Sequence, residues 1–313
     1  MSIAFIFPGQ GSQKTGMGKA LSEAFPVARA VFEEIDEALQ QNLSRLMWDG
    51  PDEELTLTEN AQPALMAVSL ATFRVLQHEA GLDLAGKAAC VAGHSLGEYS
   101  ALAAAGVFSL KDAARLLKTR GRAMQAAVPV GEGAMAALLG LDMDQVRAVA
   151  EEASAAGVCE IANDNAPGQV VISGARAAVE QAMVLAKQAG ARRALPLPVS
   201  APFHCSLMAP AAEVMQEALA ATDMHAPAVP LMANVSAGLV SDVDTIRQGL
   251  VQQVTATVRW TESVQAMASS GVTALYELGA GNVLTGLARR IDRDLTAMAA
   301  GTPETVEELA AAL

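Results

Sequence analysis

The chain has only three cysteines, Cys90, Cys159 and Cys205, among its 313 residues. They are scattered and show no Cys-x-x-Cys or His-x-x-x-His spacing, which argues against both a disulfide framework and a zinc site. Aromatic residues make up 4% of a composition that is 52% hydrophobic. The interior must therefore be built from Ala, Leu, Val and Met, a palette that suits helices packed on a sheet. No apolar run approaches the length needed to span a bilayer, and Met1–Phe7 lacks the basic start and extended apolar stretch of a signal peptide. A soluble, cytoplasmic protein without a membrane partner is expected. Basic side chains are also scarce, 21 Lys and Arg against 34 Asp and Glu, for a net charge of −13. This balance disfavours general nucleic-acid or anionic-membrane binding, and an anionic partner would need a local basic patch.

What is present is an alternation of apolar runs and amphipathic segments. Ser2–Phe7 reads as a buried strand, broken by a loop over Pro8–Gly16. A helix beginning near Pro26 places Val27, Ala30, Val31, Ile35 and Leu39 at helical spacing. A second begins near Pro63 and runs to about Ala80, and Ser109 caps a third. Alternation of this kind indicates an α/β fold with a largely parallel sheet. Between about Ala127 and Pro198 the rhythm changes to Ala134–Leu141, Asp144–Ala156, Val158–Ala162, Gln169–Ser173, Ala177–Ala189 and Arg193–Pro198, with Asn163–Gly168 as the central turn. These six pieces spell a ferredoxin-like βαββαβ unit. Because Leu231–Asn234 and Ala274–Glu277 again look like core strands, the unit is an insertion. The expected division is a large domain over 1–126 and 199–313 and a small subdomain over 127–198.

Chemistry is signalled by Gly93-His94-Ser95-Leu96-Gly97, a Gly-x-Ser-x-Gly pattern between the apolar strand Lys87–Ala92 and a helix over Glu98–Ala105. That context fits a nucleophile elbow, with the serine hydroxyl projecting from a strained turn whose flanking glycines permit the conformation and leave room for close packing. The following helix N-terminus favours a developing oxyanion. A serine nucleophile needs a base, and there are four histidines. His78, His94 and His225 read as structural or solvated. His204 follows the proline-fixed run Leu195–Phe203 at the exit of the inserted unit, where a base can be held against another domain. Cys205, its neighbour, points away and has no elbow.

On the helix from Ser109 to Ala126, Leu110, Ala113, Leu116, Leu117 and Met124 form one face, and Arg120 falls on that apolar face. A buried guanidinium must be partnered, because it stays charged. A structural ion pair with a core carboxylate and a clamp for a substrate carboxylate both fit, and geometry alone does not choose between them.

Together, Phe7-Pro-Gly-Gln-Gly-Ser-Gln13, Gly93-His-Ser-Leu-Gly-Glu98, Arg120-Gly121, Pro167-Gly-Gln-Val-Val-Ile172, Leu195-Pro-Leu-Pro-Val-Ser200 with Phe203-His204, and Gly279-Ala-Gly-Asn-Val-Leu-Thr285 resemble the malonyl-CoA:acyl carrier protein transacylases over nearly the whole chain. The resemblance implies a hydrolase-like α/β domain with a ferredoxin-like insertion. It implies that Ser95 is the acylated nucleophile, His204 the base, oriented by main-chain carbonyls, and Arg120 the partner of the malonyl carboxylate. The backbone N–H groups of Gln10 and Leu96 would form the oxyanion hole, and Gln253 matches a family glutamine near the histidine. Malonyl-CoA and an acyl carrier protein are the implied partners of a monomeric enzyme that uses no cofactor and no metal. The chain departs from the family pattern at Thr255-Ala-Thr-Val258, where members often carry Asn-Pro. Phe203 resembles the bulky residue of malonyl-accepting members.

Overall fold

The computed structural model describes residues 2–313. Its larger sheet has the strand order β11-β10-β1-β2-β7-β8, built from β1 (Ile3–Phe7), β2 (Ala88–Gly93), β7 (Leu231–Met232), β8 (Leu239–Val240), β10 (Ala274–Leu278) and β11 (Thr296–Ala300). All pairings are parallel except β7 with β8. Every residue of β1 is buried, and the strand alternation sends Ile3, Phe5 and Phe7 into one apolar cluster and Ala4 and Ile6 into another. A strand apolar on both faces is what a parallel sheet covered by helices on each side requires.

The smaller sheet has the order β6-β3-β5-β4-β9, from β3 (Gly133–Leu139), β4 (Cys159–Ala166), β5 (Gln169–Ala175), β6 (Arg193–Pro196) and β9 (Val258–Arg259). Its first four strands are antiparallel and, with the Met143–Ala153 and Arg176–Gln188 helices, complete the βαββαβ unit around a separate core that includes Leu138, Val146, Ile172 and Val179. The fifth strand, β9, lies far outside that unit in sequence and pairs parallel with β4.

Two local expectations are corrected. The second long helix spans Thr58–Glu79, with Pro63 inside it rather than at its start. A proline there forfeits one backbone bond. The turn that precedes it packs on the neighbouring helix instead: a Cβ on Gly121 would lie 2.5 Å from the Glu59 Cα. Only glycine permits this approach, and the approach holds the first turn in place. Likewise Asn163–Ala166 is not part of the turn but the bulged end of β4. Its polar side chains are taken up by the larger domain, as Thr261 Oγ1 donates to Asp164 at 2.7 Å and the His94 Nε2 to Asn165 Oδ1 distance is 2.8 Å. Composition read these residues as a turn because their partners are distant in sequence.

Candidate active site

The elbow sits at the end of β2, where the helix Gly97–Ala104 begins. The strain falls on Ser95 itself, with φ 54°, and not on the flanking glycines. A left-handed non-glycine residue at a strand-to-helix turn is a conformation the surroundings must impose. The glycines supply space: a Cβ on Gly97 would lie 2.2 Å from the Phe7 carbonyl oxygen. Asn234, just beyond β7, ties the turn together, accepting from the Ser95 N–H at 2.8 Å and donating to the Gly93 carbonyl at 2.6 Å.

His204 also has a left-handed backbone, with φ 59°, and is buried. Its Nε2 lies 2.7 Å from Ser95 Oγ, and its Nδ1 lies 2.8 Å from the main-chain oxygen of Gln253. A carbonyl can only accept, so Nδ1 carries the proton and Nε2 is free to take one from the serine. Burial, reinforced by the positive charge of Arg120, pulls the His204 pKa down to about 3. The imidazole is therefore neutral throughout the physiological range. The Thr255–Val258 departure leaves a carbonyl contact to the ring intact through Gln253.

Arg120 is 1% exposed and forms no ion pair among the described residues. Its guanidinium donates to Gln62 Oε1 at 2.8 Å, Gln253 Oε1 at 2.8 Å and Ser95 Oγ at 3.2 Å, and it lies 5.8 Å from the Tyr99 ring centroid. Neutral oxygens thus accept from both terminal nitrogens without neutralising the charge, while the buried Nε–H has no partner among the described residues. The core-carboxylate pairing open at the level of sequence is not what this helix makes.

Gln10, Ser95, Leu96, Arg120, Phe203 and His204 line one cavity of about 430 Å³, together with His94 and Leu197. This falls in the size range of small-molecule sites. Gln10 is braced by its side chain, which accepts from Thr58 Oγ1 at 3.0 Å, while Thr58 Oγ1 accepts from Gln62 Nε2 at 2.9 Å. Neither the Gln10 nor the Leu96 backbone N–H has an acceptor among the described residues. Gln253 is fully buried and belongs to the network beside the cavity. Cys205 is buried outside the cavity, its thiol donating to Pro202 O at 3.1 Å and its pKa raised by desolvation.

Sequence reasoning missed Gln62, Glu98 and Asn234. Glu98 carried the same signal as Arg120, a charge amid the apolar helix run Tyr99–Ala105. Asn234 lies just past the carboxyl end of β7, the end of parallel strands beyond which functional groups gather.

Residues 4–304 match the family model of the acyl transferase domain, and the chain belongs to that family. It is an acyltransferase. It is 49% identical over 305 residues to the malonyl CoA-acyl carrier protein transacylase of Escherichia coli K12, covering 97% of each chain. The crystal structure of acyl-carrier-protein-S-malonyltransferase from Bartonella henselae superposes with a TM-score of 0.98 at 56% identity, over 100% of this chain and 99% of that one. A malonyl-transacylase solved in complex with its type II PKS acyl-carrier protein gives a TM-score of 0.96 at 43% identity, over 100% of both chains.

Proposed function

We propose that this enzyme moves a malonyl group from coenzyme A to the phosphopantetheine thiol of an acyl carrier protein, through a malonyl ester on Ser95. The observation that carries the reading is the guanidinium of Arg120, 3.2 Å from Ser95 Oγ and in direct contact with no carboxylate among the described residues. A malonyl group on that oxygen has its carboxylate one methylene beyond the ester carbonyl, within reach of the planar fork.

In the first half-reaction Ser95 Oγ attacks the thioester carbonyl while His204 Nε2 takes its proton. The N–H groups of Gln10 and Leu96 receive the oxyanion. The C–S bond then breaks and His204 returns the proton to the leaving thiolate. The carrier thiol next gives its proton to His204 and attacks the ester, and as the ester C–O bond breaks His204 returns that proton to Ser95 Oγ. Water must be excluded between the steps, since hydrolysis would discard the activated acyl group.

The division into a catalytic domain over 1–126 and 199–313 and a subdomain over 127–198 belongs to the same reading, with the cavity between them. So do a cytoplasmic location, supported by three buried free thiols, and a monomeric state. The exposed large apolar residues Leu57, Val130, Val184, Leu195, Val214, Leu239 and Val283 lie on separate segments of the chain, which supports a monomer. No helix is long and apolar enough to cross a membrane among the described residues.

Intact-protein mass after mixing with malonyl-CoA tests the central step. A single malonyl adduct is expected on Ser95 and none on Ser95→Ala. An adduct mapping to Cys205 would refute the mechanism.

A further inference from the structure

Glu98 is a buried carboxylate to which the acyl-transfer steps above give no part. It is 3% exposed and sits on the first turn of the helix that follows the nucleophile. One oxygen, Oε1, accepts from the Asn234 backbone N–H at 3.1 Å, and the other, Oε2, accepts from Gln253 Nε2 in a short contact. The second amide hydrogen of Gln253 goes to the Ser95 carbonyl at 3.0 Å, and its Oε1 accepts from Arg120 at 2.8 Å. A carboxylate and a carbonyl only accept, so the Gln253 nitrogen must face them and its oxygen must face the guanidinium.

We infer that Glu98 is the positioning residue of this site, fixing the Gln253 amide that holds Arg120 and the backbone of Asn234, whose side chain braces the Ser95 turn. The inference rests on the proposed acyl-transfer reading, and it makes one carboxylate the common anchor of acyl-group recognition and nucleophile geometry. Glu98 touches no reacting atom. It acts because it offers two acceptor oxygens where two donors converge.

The isosteric Glu98→Gln keeps the shape and removes one acceptor. If the new oxygen serves Asn234, the new amide faces that of Gln253, which must flip and turn its NH2 toward Arg120. If the oxygen serves Gln253, two donors meet at the Asn234 backbone N–H, which displaces the residue whose side chain braces the elbow. Either arrangement leaves a buried group unsatisfied beside the site.

The experiment compares wild type, Glu98→Gln, Gln253→Ala and the double variant. Each is measured for malonyl transfer, for acetyl transfer and for labelling of Ser95 by a fluorophosphonate, with folding checked by thermal melting. Glu98→Gln should slow malonylation roughly 10- to 100-fold and narrow the malonyl-to-acetyl ratio, in line with loss of a charge-assisted hydrogen bond. Because it acts through Gln253, adding Glu98→Gln to Gln253→Ala should cost much less malonyl discrimination than Glu98→Gln costs alone. Fully additive losses, or equal losses with malonyl and acetyl donors, would overturn the inference. If wild type labels with fluorophosphonate but takes no malonyl group, the substrate reading fails. Glu98 is then judged on labelling alone: slowing in Glu98→Gln sustains its hold on the elbow, and an unchanged rate refutes it.

Discussion

Replacing Arg120 by alanine removes the only cation that touches Ser95 Oγ among the described residues, and the structure separates the consequences for selectivity from those for stability. In wild type the guanidinium is 1% exposed and held by amide oxygens at 2.8 Å on either side. A malonyl carboxylate therefore meets a desolvated, preorganised cation, while an acetyl group leaves that cation without a directly bonded counter-charge. Removing one partner of such a buried pair costs about 3–5 kcal/mol, and each 1.4 kcal/mol is about a factor of ten. Malonyl transfer should thus fall about 10²- to 10³-fold relative to acetyl transfer. The truncation also strands the oxygens of Gln62 and Gln253, at about 1–3 kcal/mol for each unsatisfied group. A lower Tm is thus expected as well and does not distinguish the roles. The deciding measurement is the ratio of kcat/KM for malonyl-CoA and acetyl-CoA in single-turnover acylation. Arg120→Lys should recover little of it, because a point charge cannot span both amides and a carboxylate. A ratio equal to wild type in a folded Arg120→Ala protein would make the guanidinium a structural link between helices, and the clamp would be wrong.

His204→Ala should slow acylation about 10²- to 10⁴-fold, the usual worth of a general base, with stopped-flow acylation as the check; a loss under tenfold would remove the residue from the mechanism. The pH profile should report Glu98 rather than His204. Burial raises the Glu98 pKa to about 7 against the lowering effects of Asn234, Gln253 and Arg120, whereas His204 stays neutral down to about 3. Arg120 and, on its own helix, Tyr99 are the ionisable side chains that face Glu98. The cavity of about 240 Å³ behind it, lined by residues such as Leu231, Thr245 and Gln252, brings no other. A raised value means that the protonated fraction grows as pH falls through 7, so acylation should decline there toward the Glu98→Gln level, and that variant should show no such limb; a limb retained in the variant would refute the assignment. Docking of an acidic carrier should depend on Arg290, which leans on Gln169 of the inserted unit, more than on Arg289, which donates to the Ala297 carbonyl at 2.8 Å. Arg290→Glu should raise KM for carrier protein about tenfold and steepen no other step, as expected for a charge at an interface rim; equal loss in acylation by malonyl-CoA would place the surface elsewhere.

Local pattern by itself determined the elements and their order. The doubly apolar β1, the Ser109-capped helix, the six-piece insertion and the glycine-flanked Ser95 are all set by side-chain periodicity and turn chemistry over a few residues, and these act before any tertiary contact forms. The same local reading singled out His204 by its proline-fixed loop and Arg120 by its position on an apolar face. Tertiary structure decided what those residues meet. The helix turn before Pro63 exists because Gly121 lets it pack, and that turn delivers Gln62 to Arg120. Asn163–Asn165 becomes strand because Thr261 and His94 take its polar groups. Glu98, Asn234 and Gln253 converge from positions up to 155 residues apart; the apolar run around Glu98 marks it as a buried charge, but nothing local shows which donors it meets. Their roles depend on hydrogen-bond valence at a shared point in space, which only the folded chain creates.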